Sequence, residues 1–394
     1  MDMSATAPYA LGVKFPAIFA CLCLAAFASC AQAPPQDPEL VINLRWVQNY
    51  PKESRANVNT GLYWALSFLG ATLPDSANVL TWHGKVVTVD LGAAQVQENS
   101  KDAWKRLLRV LKASGEYQKM GAIDIGRFVF LSLCSANHYY ELAGTSPTYE
   151  EFRARHAFGP RQIAVVESAV ASGNRLIDMG TGGSIGNITF VAYEGHGTLK
   201  DASFQRQDIE TLEFMPNGQL RFGLYDLEGH LKTNASPALT TAGKPSKCLW
   251  CHEINLNPPF RGVTDLPGYL TNQQFRELVA SEMRTVASYR QTLRSKVDFR
   301  KTQDHSNAES LYLSFAEPTA ERLALEWNLP LDSVRQMLRS RNLKTHPHSS
   351  YIDDGILGDQ LYNRSEVDAL GPYTSVRGPS DFREASAYEP DLLH

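Results

Sequence analysis

The segment "KCLWCHEINLNPPF", residues 247–260, sets two thiols and an imidazole within five positions: Cys248, Cys251 and His252. Few features constrain a chain more, because one short piece of backbone must present all three groups together. Three chemistries use a CxxC core. A redox disulfide follows a strand and opens the helix of a βαβ unit, where one cysteine is acidified. A structural zinc ion wants a second ligand pair at comparable spacing. Covalent attachment of a porphyrin needs two thiols at a fixed short spacing to add across two vinyl groups. It also needs a histidine directly behind them that reaches the iron from the same side.

The rest of the sequence chooses among these. The strands before the motif read as antiparallel, no βαβ pattern follows, and the chain has no second CxxC and no HxxxH. Chance alone produces a CxxCH in a chain of this length roughly a few times in a thousand. The motif resembles that of c-type cytochromes. The resemblance implies one covalent haem c, thioethers at Cys248 and Cys251, and His252 as the proximal ligand of the iron. Ligating histidines usually donate their second ring N–H to a carbonyl or carboxylate, and the backbone around Pro258 and Pro259 is a candidate acceptor.

Export is the second constraint. Lys14 precedes "FPAIFACLCLAAFAS", an apolar run of signal-peptide length that is short for a membrane span. It runs into "FASC", which resembles the lipobox of bacterial lipoproteins and implies lipidation of Cys30. Phe27 departs from that pattern, which usually has leucine, and cleavage after Ala31–Ala33 is the competing reading. Residues 1–30 are then a signal peptide and 31–40 a proline-rich tether. Both readings export the chain, as maturation of haem c requires. The expected location is the periplasmic face of a bacterial membrane, the outer membrane favoured, with the lipid as anchor. The mature chain keeps Cys30, Cys134, Cys248 and Cys251, too few for a disulfide scaffold. A net charge of -4 gives no reason to expect a nucleic-acid partner.

The patterning predicts an α+β fold: a central antiparallel β meander carrying the haem motif, flanked by helical N- and C-terminal regions. Residues 41–162 read as mainly helical. Leu62, Leu66 and Leu69 form one stripe, and "VLTWHGKVVTVDL" is a hairpin turning at His83-Gly84. In "DAWKRLLRVLKASG", Trp104, Leu107, Leu108 and Leu111 point inward. Lys101, Lys105, Arg106, Arg109 and Lys112 form a solvated face or a docking patch for an acidic partner. Cys134 and His138 stand four apart and would share a helix face, as a buried thiol and a hydrogen-bonded histidine or as half of a metal site. Residues 163–262 form the β region, with strands joined at Pro216-Asn217-Gly218 and a turn at Glu228-Gly229. Residues 263–394 read as helices with a loop-rich tail. The two short helices around Leu329-Pro330 have a helix-turn-helix outline, which an exported, mildly acidic chain does not use for DNA.

Candidates for the sixth iron position are Met283, Met337, His305, His346 and His348, with Met215, His138 and His196 weaker. Methionines on apolar helical stripes are commonly core filler. The order of a long antiparallel sheet, "RFGLYDLEGHL", a polar loop and CxxCH also resembles the cytochrome P460 and cytochrome c′-β family over residues 163–261. That family implies a mainly β fold, a proximal histidine and an open or aromatic-capped distal pocket handling nitrogen oxides or hydroxylamine. Its haem-crosslinking lysine cannot be placed on any one residue here, so only Cys248, Cys251 and His252 carry over. "GTGGSIG", residues 180–186, precedes a strand and is not a GxGxxG site, and Asp353, Asp354 and Asp359 lack EF-hand spacing. The sequence therefore points to an exported monohaem cytochrome that exchanges electrons with a redox partner protein. The alternatives are a haem enzyme or gas-binding protein with an open distal site, and a surface lipoprotein with a structural haem. Oligomeric state has no sequence signature.

Overall fold

The computed structural model describes residues 37–50, 52–168, 174–240, 245–252, 254–256, 260–262, 265–345, 360–367 and 391–393. Cys30, His346, His348, Pro258, Pro259 and the three aspartates at 353, 354 and 359 lie outside them. The fold is α+β, and its N-terminal third holds more strand than the patterning suggests. Strand β1 (Val41–Arg45) is followed by α1 (Arg55–Phe68), β2 (Leu80–His83), β3 (Val86–Asp90), α2 (Lys101–Ala113) and α3 (Gly115–Met120). Then come β4 (Ile123–Asp124), α4 (Ile125–Leu133), α5 (Ala136–Leu142) and α6 (Tyr149–Arg155). The four strands make a sheet in the order β2-β3-β1-β4, with β1 and β4 parallel. Strand β1 buries Ile42 and Leu44 and leaves their neighbours half-open, the period-2 signature of a strand.

Local chemistry sets the ends of these helices. A capping box between Ser54 and Asn57 starts α1, and Gly70 at φ 85° ends it. Trp104, Leu107, Leu108 and Leu111 of α2 are all fully buried. The cations on its other face are met by the chain's own groups: Lys105 by Asp37 at 2.9 Å, Arg106 by Glu141, Arg109 by Glu39 at 3.4 Å, and Lys112 by the Pro38 carbonyl at 2.9 Å. That leaves the docking-patch reading without support.

A second sheet forms the meander. Strands β5 (Phe158–Val165), β6 (Glu167–Ser168), β7 (Arg175–Gly180), β8 (Thr189–His196), β9 (Gln205–Phe214) and β10 (Leu220–Tyr225) follow in order. The sheet runs β10-β9-β8-β7-β5 and every pair is antiparallel. Register puts Phe222 beside Leu212 and Phe190, with Ile177 and Ile163 further along the same face. The opposite face packs Val191, Tyr193, Ile209 and Tyr225 against Phe152 and Tyr149 of α6.

The remaining elements are α7 (Pro245–His252), β11 (Phe260–Gly262), α8 (Asn272–Thr292), α9 (Ser306–Ala316), α10 (Ala320–Trp327), α11 (Leu331–Ser340) and α12 (Arg364–Val367). Helix α8 covers the first face of the meander, packing Phe275, Leu278 and Val279 on Ile163, Ile177 and Met179. Helix α9 lies on α1 and α4. One apolar core runs from Ile42 and Val89 through Phe68 and Phe315 to Phe214, Phe222 and Leu249, so the N-terminal helices, the meander and the C-terminal helices share an interior. A buried ion network pins α10 and α12 onto the N-terminal region. In it Glu326 accepts from Arg364 at 2.9 Å and Arg127 at 3.3 Å, Arg322 meets Asp124 at 2.7 Å, and Arg127 meets Glu116 at 2.9 Å.

Candidate haem-attachment site

Helix α7 is the CxxCH itself, with Pro245 at its first position, where a missing N–H costs nothing. At about 100° per residue, Cys248, Cys251 and His252 fall within roughly a third of the helix circumference, and Trp250 points the other way. Trp250 packs edge-on against Phe68 of α1 at 5.8 Å and Tyr312 of α9 at 5.7 Å. Leu249 is fully buried. The two apolar residues between the cysteines therefore fasten the helix to the core.

His252 and Cys248 look toward β10 and α5, the elements α7 packs on. The His252 ring lies 5.4 Å from Phe222, centroid to centroid. Tyr139 and Tyr140 of α5 are fully buried near Cys248. Burial pushes the Tyr139 phenol above its ordinary range, and that of Tyr140 well above it. Tyr139 donates no proton to bulk water; its hydroxyl accepts the Phe222 N–H at 3.1 Å. The Tyr140 hydroxyl donates to the Lys232 carbonyl at 2.7 Å.

Burial pushes the His252 imidazole down from 6.5 to about 4, against a smaller opposing effect of the Asn255 backbone, and the positive charge of Arg175 adds to the lowering. The ring is thus neutral at neutral pH, the form that ligates iron. Its Nδ1 is buried and meets no hydrogen-bond partner among the described residues. A neutral imidazole whose buried Nδ1 meets no partner among the described residues, on the helix that carries two cysteines at haem c spacing, fits covalent haem. Helix α7 contains Cys251, whose side chain lies outside the described atoms.

The other sequence candidates are dispersed. Met215 is buried in the β9–β10 turn with its sulfur accepting from Gln97 Nε2 at 3.4 Å. Met337 belongs to a satellite core with Leu331 and Val334, apart from the cluster that holds α7. Met283 lies partly buried on that main cluster, as do Cys248 and Trp250. His305 stands edge-on to Trp64 at 6.3 Å, and His196 is exposed at the end of β8. Cys134 and His138 do not share a helix, because α4 ends at Leu133 and Ser135 caps α5. His138 Nδ1 is 2.6 Å from the Leu131 carbonyl, and its Nε2 accepts the Leu392 N–H at 2.7 Å. Among the described residues no group of three or more His, Cys, Asp or Glu converges to hold a metal ion.

Two residues near the motif escape sequence reasoning. Arg175 is buried on the same sheet face as Phe222 and pairs with Glu194. Arg290 of α8 binds the Ile254 carbonyl at 2.7 Å, two residues past His252. Its one sequence signal is its place on the inward stripe Val279, Met283 and Val286, where an arginine is out of character. Comparison with known proteins finds no family model, no curated protein and no solved structure that matches the chain.

Proposed function

We propose that this chain is an exported monohaem c-type cytochrome. Its haem is held by thioethers at Cys248 and Cys251 with His252 as proximal ligand, and it serves electron transfer to a redox partner protein at the periplasmic face of a membrane, anchored through lipid on Cys30. The observation that carries this reading is the neutral His252 imidazole, whose buried Nδ1 has no hydrogen-bond partner among the described residues, one helical turn from Cys248. The haem supplies reversible one-electron chemistry. The chain's own residues supply the setting: Trp250 and Leu249 lock the attachment helix, Phe222 backs the imidazole, and the tyrosines at 139 and 140 close off water near Cys248.

A second reading, a haem enzyme or gas-binding protein, draws on one feature. Arg175, Glu194 and Asp208 are buried charges on the sheet face that carries Phe222, and electron transfer alone needs none of them. Spectra of the haem-loaded chain, oxidised and reduced, with and without CO and NO, separate the two. Low-spin iron that refuses both gases supports electron transfer. High-spin iron that binds them readily overturns it.

A further inference from the structure

The buried arginines Arg127, Arg175, Arg221, Arg322 and Arg364 each stand against a carboxylate: Glu116, Glu194, Glu213, Asp124 and Glu326 in turn. Arg290 does not. Its guanidinium lies between the rings of Phe299 at 4.4 Å and Phe214 at 5.6 Å. Nε and Nη2 donate to the Gly218 carbonyl at 2.9 and 2.8 Å, and Nη2 also donates to the Ile254 carbonyl at 2.7 Å. These are neutral acceptors, and Nη1 makes no hydrogen bond among the described residues. Burial depresses the group to about 10, and no carboxylate among the described residues acts on it to oppose that. Arg290 is half-buried, and no counter-ion stands against its guanidinium among the described residues; a charge partly taken out of water favours one.

Its position says which anion fits. Arg290 grips the backbone just beyond His252 and the turn between β9 and β10 at once. That turn is closed down on it: a Cβ at Gly218 would stand 3.1 Å from Arg290 Cγ. A haem brings two propionate carboxylates, and planar two-pronged recognition of carboxylate is what guanidinium does best. We propose that Arg290 is the propionate receptor of the site, pairing with a carboxylate of the haem held by Cys248, Cys251 and His252. This rests on the haem reading above. Arg290 is a positioning residue: it fixes the cofactor's acidic edge and holds that carboxyl ionised, which in turn tunes the iron.

The test uses the full chain co-expressed with haem c maturation proteins, with haem attachment scored by haem staining of denaturing gels. The midpoint potential is then followed from acid to neutral pH for wild type, Arg290→Gln and Arg290→Lys, with circular dichroism as the check on fold. The expected result is a redox-linked ionisation that moves up by about one to three pH units in Arg290→Gln and less in Arg290→Lys. Superimposable pH–potential curves for wild type and Arg290→Gln, both haem-loaded and folded, overturn the inference and leave the haem reading standing. A wild type without attached haem overturns both. Added acetate that shifts the wild-type potential but not that of Arg290→Gln assigns the site to free anions and overturns the propionate assignment. Should Arg290→Gln not fold, resonance Raman of wild type decides. A propionate band that moves on H/D exchange supports the pairing, and an unmoved band overturns it.

Discussion

Trp250→Ala removes the side chain that pins helix α7 to the helical core. A fully buried tryptophan lost to alanine costs roughly 3–5 kcal/mol. Trp250 is only partly buried, which lowers that share to about 2 kcal/mol. Its two edge-to-face contacts, with Phe68 at 5.8 Å and Tyr312 at 5.7 Å, go as well. Each such contact is worth about 0.5–1.5 kcal/mol beyond the area it buries. The expected total is about 3–5 kcal/mol, read from urea denaturation of the haem-free chain by far-ultraviolet circular dichroism. The urea midpoint falls and the slope holds, since the surface exposed on unfolding barely changes. Trp250→Phe keeps an aromatic edge and costs about 1–2 kcal/mol. Because the same helix carries both thiols, the alanine variant also yields less attached haem per chain. A loss below about 1 kcal/mol, or a phenylalanine as costly as alanine, refutes the view that Trp250 positions the helix.

Three further outcomes follow from the geometry. Glu326→Gln leaves Arg364, Arg127 and Arg322 short of a buried counter-charge and costs about 3–5 kcal/mol, read as a drop in the urea midpoint. Burial opposes ionisation of Glu213, but His156, Arg221 and Arg155 outweigh it and hold the carboxyl at about 2, down from 4.5. Its stabilisation is therefore complete above pH 4.5 and is lost as pH falls from 4.5 toward 2. Glu213→Gln forfeits about 3 kcal/mol at neutral pH and flattens the acid limb of the stability profile, so an unchanged acid limb contradicts the assignment. Gly218→Ala places a Cβ at φ 82°, 3.1 Å from Arg290 Cγ and Leu293 Cδ1, and costs about 1–2 kcal/mol, measured by thermal unfolding.

Elements whose reason to exist is local were legible in the sequence. The inward stripes of α1 and α2, the hairpin of β2 and β3, and the β9–β10 turn at Gly218 all sit where periodicity and turn residues put them. Strand β4 was not, because two residues pairing in parallel with β1 leave no pattern of their own. The break between α4 and α5 was also missed. Cys134 and His138 read as one helix face, but the Ser135 cap interrupts the helix between them. At the candidate site, spacing alone singles out Cys248, Cys251 and His252. The partners came from distant sequence: Phe222 from a strand, Tyr139 and Tyr140 from α5, Trp250's sockets from α1 and α9, and Arg290 from α8. Such contacts are set by tertiary packing, which a linear pattern does not encode.

The central claim is that this chain carries covalent haem at a single CxxCH. It is tested most directly by intact mass measurement and haem staining of the full chain co-expressed with the haem c maturation machinery, beside the Cys248→Ala/Cys251→Ala double variant. The expected result is one haem per wild-type chain, retained on denaturation, and none on the double variant. A wild-type chain without haem, or haem that stays attached in the double variant, contradicts it.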